Sequence, residues 1–523
     1  MCLVGGHPVF RRDSRGRSGA ADNHLHRPER GRTRVPGLSL RLRAGERVSL
    51  PGGSTARPGR DRRGVGGRTR VPDERLPLPL PVTNAEMSVI GRRDLLKGAL
   101  VGGCLSVLGL RAPLVQAQDY RGKLFVLVQA DGAWDPTSFC DPKTNTPGEP
   151  VINHWAEQDE TRVAGNIPYA PFADNQAFFE KHHDKMLVIN GVDFQTNSHT
   201  TGIVHAWSGR TGRGFPSLTA LLAAHFAPGL AVPYLTFGGF ADTGGVTRYT
   251  RMSNPDAFRN VARPDQRVVS DVSGPNPPYL HAEDWSNLRA RARDRANRLA
   301  SVPGLLPDEA RNRRFLASSL ASADGLQAFA DAVPDSGFAE REQLPAGNLT
   351  FWSTLRRDAE IAILAFRTGV AVSADLWLGG FDSHADNDVR QEVLLTNLTQ
   401  SVDYLWDYAE EQGLADRLVV VLGSDFGRTN FYNADEGKDH WPIGSYVIME
   451  KHQSWTNRVV GETDGLHFAQ RINPRTLERD DANGTIIYPK HVHKALRRYL
   501  GVENSPGARR FPFNNTEDFR FFA

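Results

Sequence analysis

Short apolar runs recur along this chain from residue 123 onward, and segments with a helical pattern separate them. A nearly continuous apolar run is typical of a strand buried on both faces of a sheet. Such runs predict strands over 123–130, 186–190, 234–237, 374–378, 417–422 and 445–449. Helices are predicted over 175–183, 218–226, 284–299, 351–368, 389–412 and 491–500. The alternation predicts an α/β fold with a parallel or mostly parallel central sheet and helices on both faces.

One segment interrupts this alternation. Residues 254–347 are rich in charge and alanine and carry little strand signal. They predict a helical insertion or cap on the sheet. Residues 118–523 as a whole are long enough for one large α/β domain or two smaller ones.

Residues 87–117 have the pattern of an export signal. A basic start with Arg92 and Arg93 precedes an apolar run over 98–110 and a small-residue end at 115–117. This order defines a cleaved signal peptide, and paired arginines point to the twin-arginine route. We therefore expect a periplasmic or otherwise exported protein, with the translocase as a transient partner. That route carries folded proteins, often with a metal in place.

Residues 1–86 do not have the composition of a folded domain. They contain 18 arginines, no lysine, 8 acidic residues and Phe10 as the one aromatic residue. Such a segment buries too little apolar surface to offset the entropy of ordering. One interpretation is a disordered basic arm that binds nucleic acid or anionic lipid. We favour a GC-rich upstream extension that is not native, with the true start at Met87.

Removing these segments changes the charge and cysteine arguments. The whole chain has a net charge of +3, whereas residues 118–523 contain 41 basic and 51 acidic residues. An acidic mature chain gives no reason to expect nucleic-acid binding.

Cys140 is the one cysteine of residues 118–523, which excludes an internal disulfide. Cys104 lies in a segment that weakly resembles a lipoprotein cleavage site, but it comes too early in the apolar run for this role. No other apolar stretch is long enough for a span, so no stable membrane span is expected after cleavage.

Polar residues follow the predicted strands, where ligands of parallel sheets bind. Asp131 and Asp135 follow the first strand, although an acid there is often a turn or cap residue. Ser198 and His199 begin a predicted helix after the second strand. Ser198 could cap this helix or act as a nucleophile, since a helix N-terminus favours an anionic oxygen. His199 could serve as a donor or a base.

Two later strand ends carry both carboxylates and imidazoles. Asp382 and His384 are two residues apart, so in extended backbone they point to one side. Asp425 follows the next strand, and His440 lies in the loop beyond it. Carboxylate and imidazole together suit zinc, manganese or iron. These residues predict a metal or anion site.

Two cations near the last of these strands suggest contacts with an anionic substrate. Arg428 could make bidentate contacts, and Lys438 could act as a point charge. Exposed acids, histidines and cations are common on their own. Their accumulation at several strand ends is what favours a site.

Three motifs carry a resemblance to a known family. GFDSH at 380–384, SDFGRT at 424–429 and GKDH at 437–440 resemble the G-W-D-T-H, S-E-F-G-R-T and G-x-D-H elements of domain-of-unknown-function family 1501. Residues 132–135 and 197–199 look like its early motifs. Members of this family are typically exported by the twin-arginine route. The family is placed in the alkaline phosphatase-like superfamily, with sulfatases and phosphoglycerate mutases.

The resemblance implies an alkaline phosphatase-like fold and a metal-assisted hydrolase site. By this resemblance, Ser198, or less well Thr200, would be the nucleophile. The cofactor would be a divalent metal ion such as zinc, manganese, calcium or iron. Its ligands would come from Asp131 or Asp135, and from Asp382, His384, Asp425 and His440.

The chain departs from the superfamily pattern in two places. The usual Asp-His-Gly is DFG at 425–427, and no Cys-x-Pro-Ser-Arg element lies near Ser198, which argues against a formylglycine sulfatase. Our first hypothesis is an exported metal-dependent hydrolase of phosphate or sulfate esters, acting on an anionic small molecule or glycan with Ser198, His199 and Arg428 as catalytic residues. The alternative is a non-catalytic exported protein that binds an anionic glycan or cell-envelope ligand. A third interpretation leaves the Asp/His cluster as loop capping.

Overall fold

The computed structural model describes residues 120–252, 279–334 and 337–523. The predicted extension over 1–86 and export signal over 87–117 lie outside the described residues, as does part of the predicted insertion. All described residues belong to one unit, Ser106–Ala523.

An eight-stranded sheet forms the centre of this unit. Every strand runs parallel to the others except one, Ile443–Met449, which is antiparallel to both of its neighbours. The predicted mostly parallel sheet is therefore confirmed. In spatial order the strands are β14 (Arg458–Val460), β4 (Met186–Asp193), β13 (Ile443–Met449), β10 (Leu418–Ser424), β1 (Leu124–Asp131), β9 (Ser373–Gly379), β5 (Tyr234–Thr236) and β6 (Thr250–Arg251).

Helices cover both faces of the sheet. Alternate residues of β1 enter two separate apolar clusters, with Val126 in one and Leu127 in the other. This division follows from the period of two along a strand. The helices are α1 (Asn175–His182), α2 (His199–Ser208), α3 (Leu218–Phe226), α4 (Ala282–Ala300), α5 (Pro307–Ala321), α6 (Ala323–Ala332), α7 (Leu355–Arg367), α8 (Asn387–Glu411), α9 (Pro489–Tyr499) and α10 (Pro506–Arg509). Helices α7 and α8 contribute to the first cluster, and α2 and α9 to the second.

Three two-stranded sheets complete the described fold. They pair β2 (Arg162–Ala164) with β3 (Ile167–Tyr169), β7 (Glu342–Ala346) with β8 (Leu349–Ser353), and β11 (Gly427–Arg428) with β12 (His440–Trp441).

The hairpin of β7 and β8 corrects two predictions. The helix predicted from residue 351 begins at Leu355, because Phe351 pairs with Leu344 in this hairpin. The predicted helical insertion reached residue 347, but its described helices end at Ala332. Gly347 forms the turn with a φ of +60°. Among the described helices, none is both long and apolar enough to cross a bilayer.

The strand register brings three loops to one edge of the sheet. β1 lies between β10 and β9 and runs parallel to both. Ala130 is opposite Ser424, and Asp131 is opposite Gly379. The loops that follow these three strands therefore start at the same level.

A buried carboxyl group lies within the sheet itself. Asp375 of β9 has no exposed surface, and the hydroxyl of Tyr234 donates a hydrogen bond to it. Burial raises the pKa of Asp375 to about 8, although the hydrogen bonds from Tyr234 and Thr219 act in the opposite direction. The carboxyl group is therefore protonated in the folded protein at neutral pH, while it is ionised in the unfolded chain.

This difference predicts the pH dependence of stability. Because the folded state binds the extra proton, the free energy of unfolding should fall as pH rises from about 4 to about 8, by up to about 1.4 kcal/mol per pH unit. Asp375→Asn should remove this slope. Urea unfolding at several pH values measures it, and parallel slopes in the two proteins would contradict the assignment.

Candidate functional site

Two glycines allow the loops at this edge to pack closely. Gly132 has a φ of +107°, and a Cβ there would lie 2.6 Å from the backbone nitrogen of Asp382. A Cβ on Gly437 would lie 2.1 Å from the carbonyl oxygen of His384. Side chains at either position would push the loops apart.

Three histidines converge on one carboxylate oxygen. The distances to Asp382 Oδ1 are 3.4 Å from His199 Nε2, 3.2 Å from His384 Nε2 and 3.2 Å from His440 Nε2. The Nε2 atoms of His384 and His440 are 2.9 Å apart. The side chains of Asp382 and His384 are 45% and 49% exposed, so a ligand can reach the cluster from solvent.

The other ring nitrogen of each histidine is held by an oxygen atom. Nδ1 of His199 contacts Asp425 Oδ2. Nδ1 of His384 is 2.8 Å from Asp439 Oδ1, and Nδ1 of His440 is 2.7 Å from the Asn197 carbonyl oxygen. Carbonyl and ionised carboxylate oxygens only accept, so each of these Nδ1 atoms carries a proton, and in the neutral tautomer the Nε2 lone pair faces the cluster. Metal-binding histidines have this arrangement.

The residues present fit a divalent metal ion. His199 Nε2 is buried and has no hydrogen-bond partner within the described residues. Ligand atoms of His199, Asp382 and His440 all lie within 4.8 Å of one another. Two Nε2 lone pairs at 2.9 Å repel each other unless a cation or proton lies between them. Imidazole nitrogens with one carboxylate suit zinc, manganese or iron, whereas calcium takes oxygen ligands.

The electrostatics of the cluster also favour a cation. Burial acts to raise the pKa of Asp382, but hydrogen bonds and charge from Arg428, together with His440, lower it to about 2. Burial lowers the pKa of His199, yet its contacts with Asp425 and the charge of Asp382 outweigh this and raise it. The cluster thus carries a negative charge that attracts a proton or a metal ion.

Asp425 and Asp131 lie behind this cluster. Asp425 is buried, and its Oδ1 accepts hydrogen bonds from the Ala133 nitrogen at 2.6 Å and Ser424 Oγ at 3.0 Å. Since its Oδ2 contacts His199, Asp425 orients that ring. Asp131 Oδ2 accepts from Trp377 Nε1 at 3.0 Å. Burial raises the pKa of Asp131, and the nearby charges of Asp425 and Asp382 raise it further.

Arg428 has a different role from the one its sequence position suggested. Its side chain is fully buried, and its donors go to Asp382 Oδ1 at 2.8 Å, the Ala133 oxygen at 2.9 Å, the Lys438 oxygen at 3.1 Å and the Gly132 oxygen. With its donors engaged in this way, Arg428 positions Asp382 instead of facing a substrate.

Asp135 belongs to a separate buried ion pair. Lys438 Nζ lies 2.6 Å from Asp135 Oδ2 and 3.0 Å from Asn153 Oδ1, and neither charged side chain is exposed. Burial acts to raise the pKa of Asp135, but Lys438 lowers it overall. We therefore leave Asp135 out of the metal ligand set and Lys438 out of the substrate contacts.

Ser198 and Phe426 border the cluster. Ser198 is exposed at the N-terminus of α2, next to His199, and its side chain does not cap the helix. The hydroxyl is thus available for another role. The buried ring of Phe426 stacks on His199 with centroids 4.8 Å apart, and it lies 4.9 Å from His440. Phe426 therefore provides an apolar wall behind two of the imidazoles.

Two orienting groups were missed in the sequence. Asp439 fixes His384, and the Asn197 carbonyl fixes His440. Both lie within the quoted motifs, next to predicted site residues. Closeness in sequence gives no sign of these contacts, because each acceptor binds a histidine from another loop. Asp439 is next to His440 but binds His384, and Asn197 is close to His199 but binds His440.

The buried pair of Lys438 and Asp135 yields a stability prediction. Lys438→Met leaves an unpaired buried carboxylate and should lower the free energy of unfolding by about 3 to 5 kcal/mol. Adding Asp135→Asn should recover part of this loss. Lys451 forms a surface pair with Glu410 and gives the control, since Lys451→Met should cost less than about 1 kcal/mol. Chemical denaturation measures all three, and equal losses in the two lysine variants would contradict the assignment.

Several solved structures are similar to the chain at low identity. A phosphonate monoester hydrolase of Agrobacterium radiobacter is 14% identical, with 72% of this chain and 74% of that chain covered and a TM-score of 0.28. The PsFucS1 sulfatase from Pseudoalteromonas sp. is 9% identical, with 74% and 69% covered and a TM-score of 0.33. The lipoteichoic acid synthase LtaP from Listeria monocytogenes is 7% identical, with 75% and 74% covered and a TM-score of 0.30. Likenesses this distant assign no activity.

One family model matches part of the chain in sequence. No curated protein matches the chain in sequence. Residues 339–492 match the family described as "Protein of unknown function (DUF1501)", which confirms the resemblance noted from the motifs. The matched segment contains Asp382, His384, Asp425 and His440. Over residues 339–492, the chain is therefore similar to the DUF1501 family.

Proposed function

We propose that the protein is a metal-dependent hydrolase of phosphate or sulfate esters. The observation that carries this proposal is the convergence of three Nε2 atoms on Asp382 Oδ1. His199, Asp382, His384 and His440 would hold the ion. When bound, a divalent metal ion lowers the pKa of a hydroxyl group and neutralises charge that develops on the transferred group.

Ser198 is the proposed nucleophile. It is exposed at the start of α2, where the helix dipole and free backbone N–H groups favour an anionic oxygen. Its Oγ would form a bond to phosphorus or sulfur while the ester oxygen leaves as an alcohol. Water would then release phosphate or sulfate. Arg428 acts through Asp382, whose position and charge it maintains.

One partly buried and one exposed aromatic ring near the site support an organic substrate. Trp441 follows His440 in β12, and its ring packs edge-on against Phe468 with centroids 5.1 Å apart. Phe468 is 45% exposed. Such a surface suits the ring of a sugar or aryl group, in agreement with a glycan or small aryl ester as substrate.

The second candidate is a non-catalytic protein that binds an anionic glycan or cell-envelope ligand. Two observations favour it. Arg428 and Lys438 are both engaged in buried internal contacts, so neither is free to hold a transferring group. Phe426 also places an apolar ring where the superfamily pattern has an imidazole.

Metal content is the first test. The protein expressed from Met87 should contain about one equivalent of metal by elemental analysis, and Asp382→Ala and His384→Ala should lose it. His452→Ala is the control, because His452 is 75% exposed and lies outside the cluster, with an ion pair to Asp416. A folded wild-type protein without metal, after incubation with zinc and manganese, would exclude the hydrolase proposal.

The orienting role of Asp439 gives a second prediction. Asp439→Ala removes the acceptor of His384 Nδ1 and should weaken metal binding by about 10- to 100-fold. Asp435 is an exposed acid of the same loop, and Asp435→Ala should leave the affinity unchanged. Competition with a chelator measures both, and equal affinities would refute the role of Asp439.

Turnover separates the two candidate functions. The metal-loaded protein should hydrolyse aryl phosphates or aryl sulfates, and Ser198→Ala should lower kcat by at least about 100-fold while metal binding persists. Thr200→Ala serves as the matched hydroxyl control and should keep its activity. Full metal occupancy without turnover on either ester would favour the binding protein.

We also propose export by the twin-arginine route, on the basis of Arg92 and Arg93 before the apolar run. Replacing both arginines with lysine should retain the protein in the cytoplasm, as measured by cell fractionation. Mass spectrometry of the exported protein should find an N-terminus near Gln118. An unprocessed N-terminus or unchanged export would contradict this.

A further inference from the structure

A polar cavity lies among the C-terminal elements. It has a volume of about 290 Å³, comparable to the smaller ligand sites of proteins. None of its lining residues belongs to the histidine cluster. It is lined by residues of α9, α10 and the segments that follow them, including Lys494, Arg497, Glu503, Asn504, Arg509 and Phe513.

Arg497 is a buried cation without an acid partner. The residue is 3% exposed, and its Nη1 donates to the Phe511 carbonyl oxygen at 2.6 Å. Its Nε is buried and has no hydrogen-bond partner within the described residues. No carboxylate of the described residues lies within 4.0 Å of it. A buried, unpaired guanidinium N–H costs free energy, so the charge of Arg497 is not fully satisfied within the described residues.

A second arginine reinforces this positive charge. The guanidinium groups of Arg497 and Arg210 both pack on the ring of Phe513, at 4.2 Å and 4.8 Å from its centroid. Nε of Arg210 is also buried without a partner within the described residues. The two cations therefore stand close together, held by one aromatic ring.

The acids and the lysine near the cavity already have partners. Glu503 pairs with Arg498, and Lys494 Nζ lies 2.7 Å from Asp518. Arg509 is exposed at the rim, and within the described part of the chain it has no ion-pair partner. Within the described residues, the cationic side chains of the cavity that lack an ion-pair partner are therefore Arg497 and Arg509, and Arg210 contacts the Phe513 ring that Arg497 also contacts.

We infer that this cavity binds a small oxyanion, a phosphate, sulfate or carboxylate group that pairs with Arg497 and Arg509. The planar guanidinium group matches such groups through paired charge-assisted hydrogen bonds. The Phe513 ring and the amide of Asn504 would contact the body of an organic anion. This site is independent of the proposed hydrolase activity.

Calorimetric titration of the full chain with inorganic phosphate, sulfate and acetate tests the inference. Because the histidine cluster could also bind anions, each titration is repeated in a His384→Ala, His440→Ala double variant, which removes two of its imidazoles. One site should remain there for at least one of the three probes. Binding of phosphate and sulfate without acetate would define the ligand group as tetrahedral, and binding of acetate would include carboxylates.

Variants of the two arginines decide the location. Arg497→Gln and Arg509→Ala should each weaken binding by about 10- to 100-fold. Arg509 is exposed, so its variant remains informative if Arg497→Gln fails to fold. Arg475→Ala, at another exposed arginine, should bind as the parent does. No binding of any probe, or equal affinity in Arg509→Ala and Arg475→Ala, would overturn the inference.

Discussion

The buried guanidinium group of Arg428 connects the three loops that form the site. It donates to the carbonyl oxygens of Gly132 and Ala133 after β1, to that of Lys438 before β12, and to Asp382 after β9. A guanidinium group keeps its charge at any physiological pH, so once buried it requires these acceptors. The oxygen on which three histidines converge is thus held in place by a residue from another loop.

This arrangement depends in turn on the register of the central strands. β1 has parallel neighbours on both sides, and its last residues are level with the ends of β9 and β10. A slip of one residue would turn every side chain to the opposite face and separate Asp425 from His199. The positive φ of Gly132 then lets the first loop approach the backbone of Asp382. Strand pairing therefore sets the relative positions of the loops that carry the site.

The central strands could be predicted from sequence because strands buried on both faces are continuously apolar. The run at 123–130 corresponds to Leu124–Asp131. The direction of β13 could not be predicted, since an apolar run looks the same in a parallel and an antiparallel strand. The last three residues of the hairpin strand Leu349–Ser353 were included in the helix predicted over 351–368, because three residues at the start of a helical pattern are too few to distinguish the two periods.

The candidate site could also be predicted from the sequence only in part. Asp382, His384 and His440 could be predicted because they follow strands whose ends adjoin. The roles of Arg428 and Asp135 could not, since they depend on contacts between distant parts of the chain. Lys438 and Asp135 are 303 residues apart in sequence. His199 was predicted as a donor or base, whereas its Nε2 faces the shared carboxylate as those of the other two histidines do.

Charge balance indicates that the cluster is suited to a single cation. Asp135 has its own counter-ion in Lys438, with both side chains removed from water. Asp382 instead faces three imidazole lone pairs, and the charge of Arg428 is shared between Asp382 and backbone carbonyls. Behind His199 and His440, Phe426 contributes a ring that cannot coordinate an ion. Within the described residues, the position surrounded by His199, Asp382 and His440 therefore combines a carboxylate with nitrogen ligand atoms.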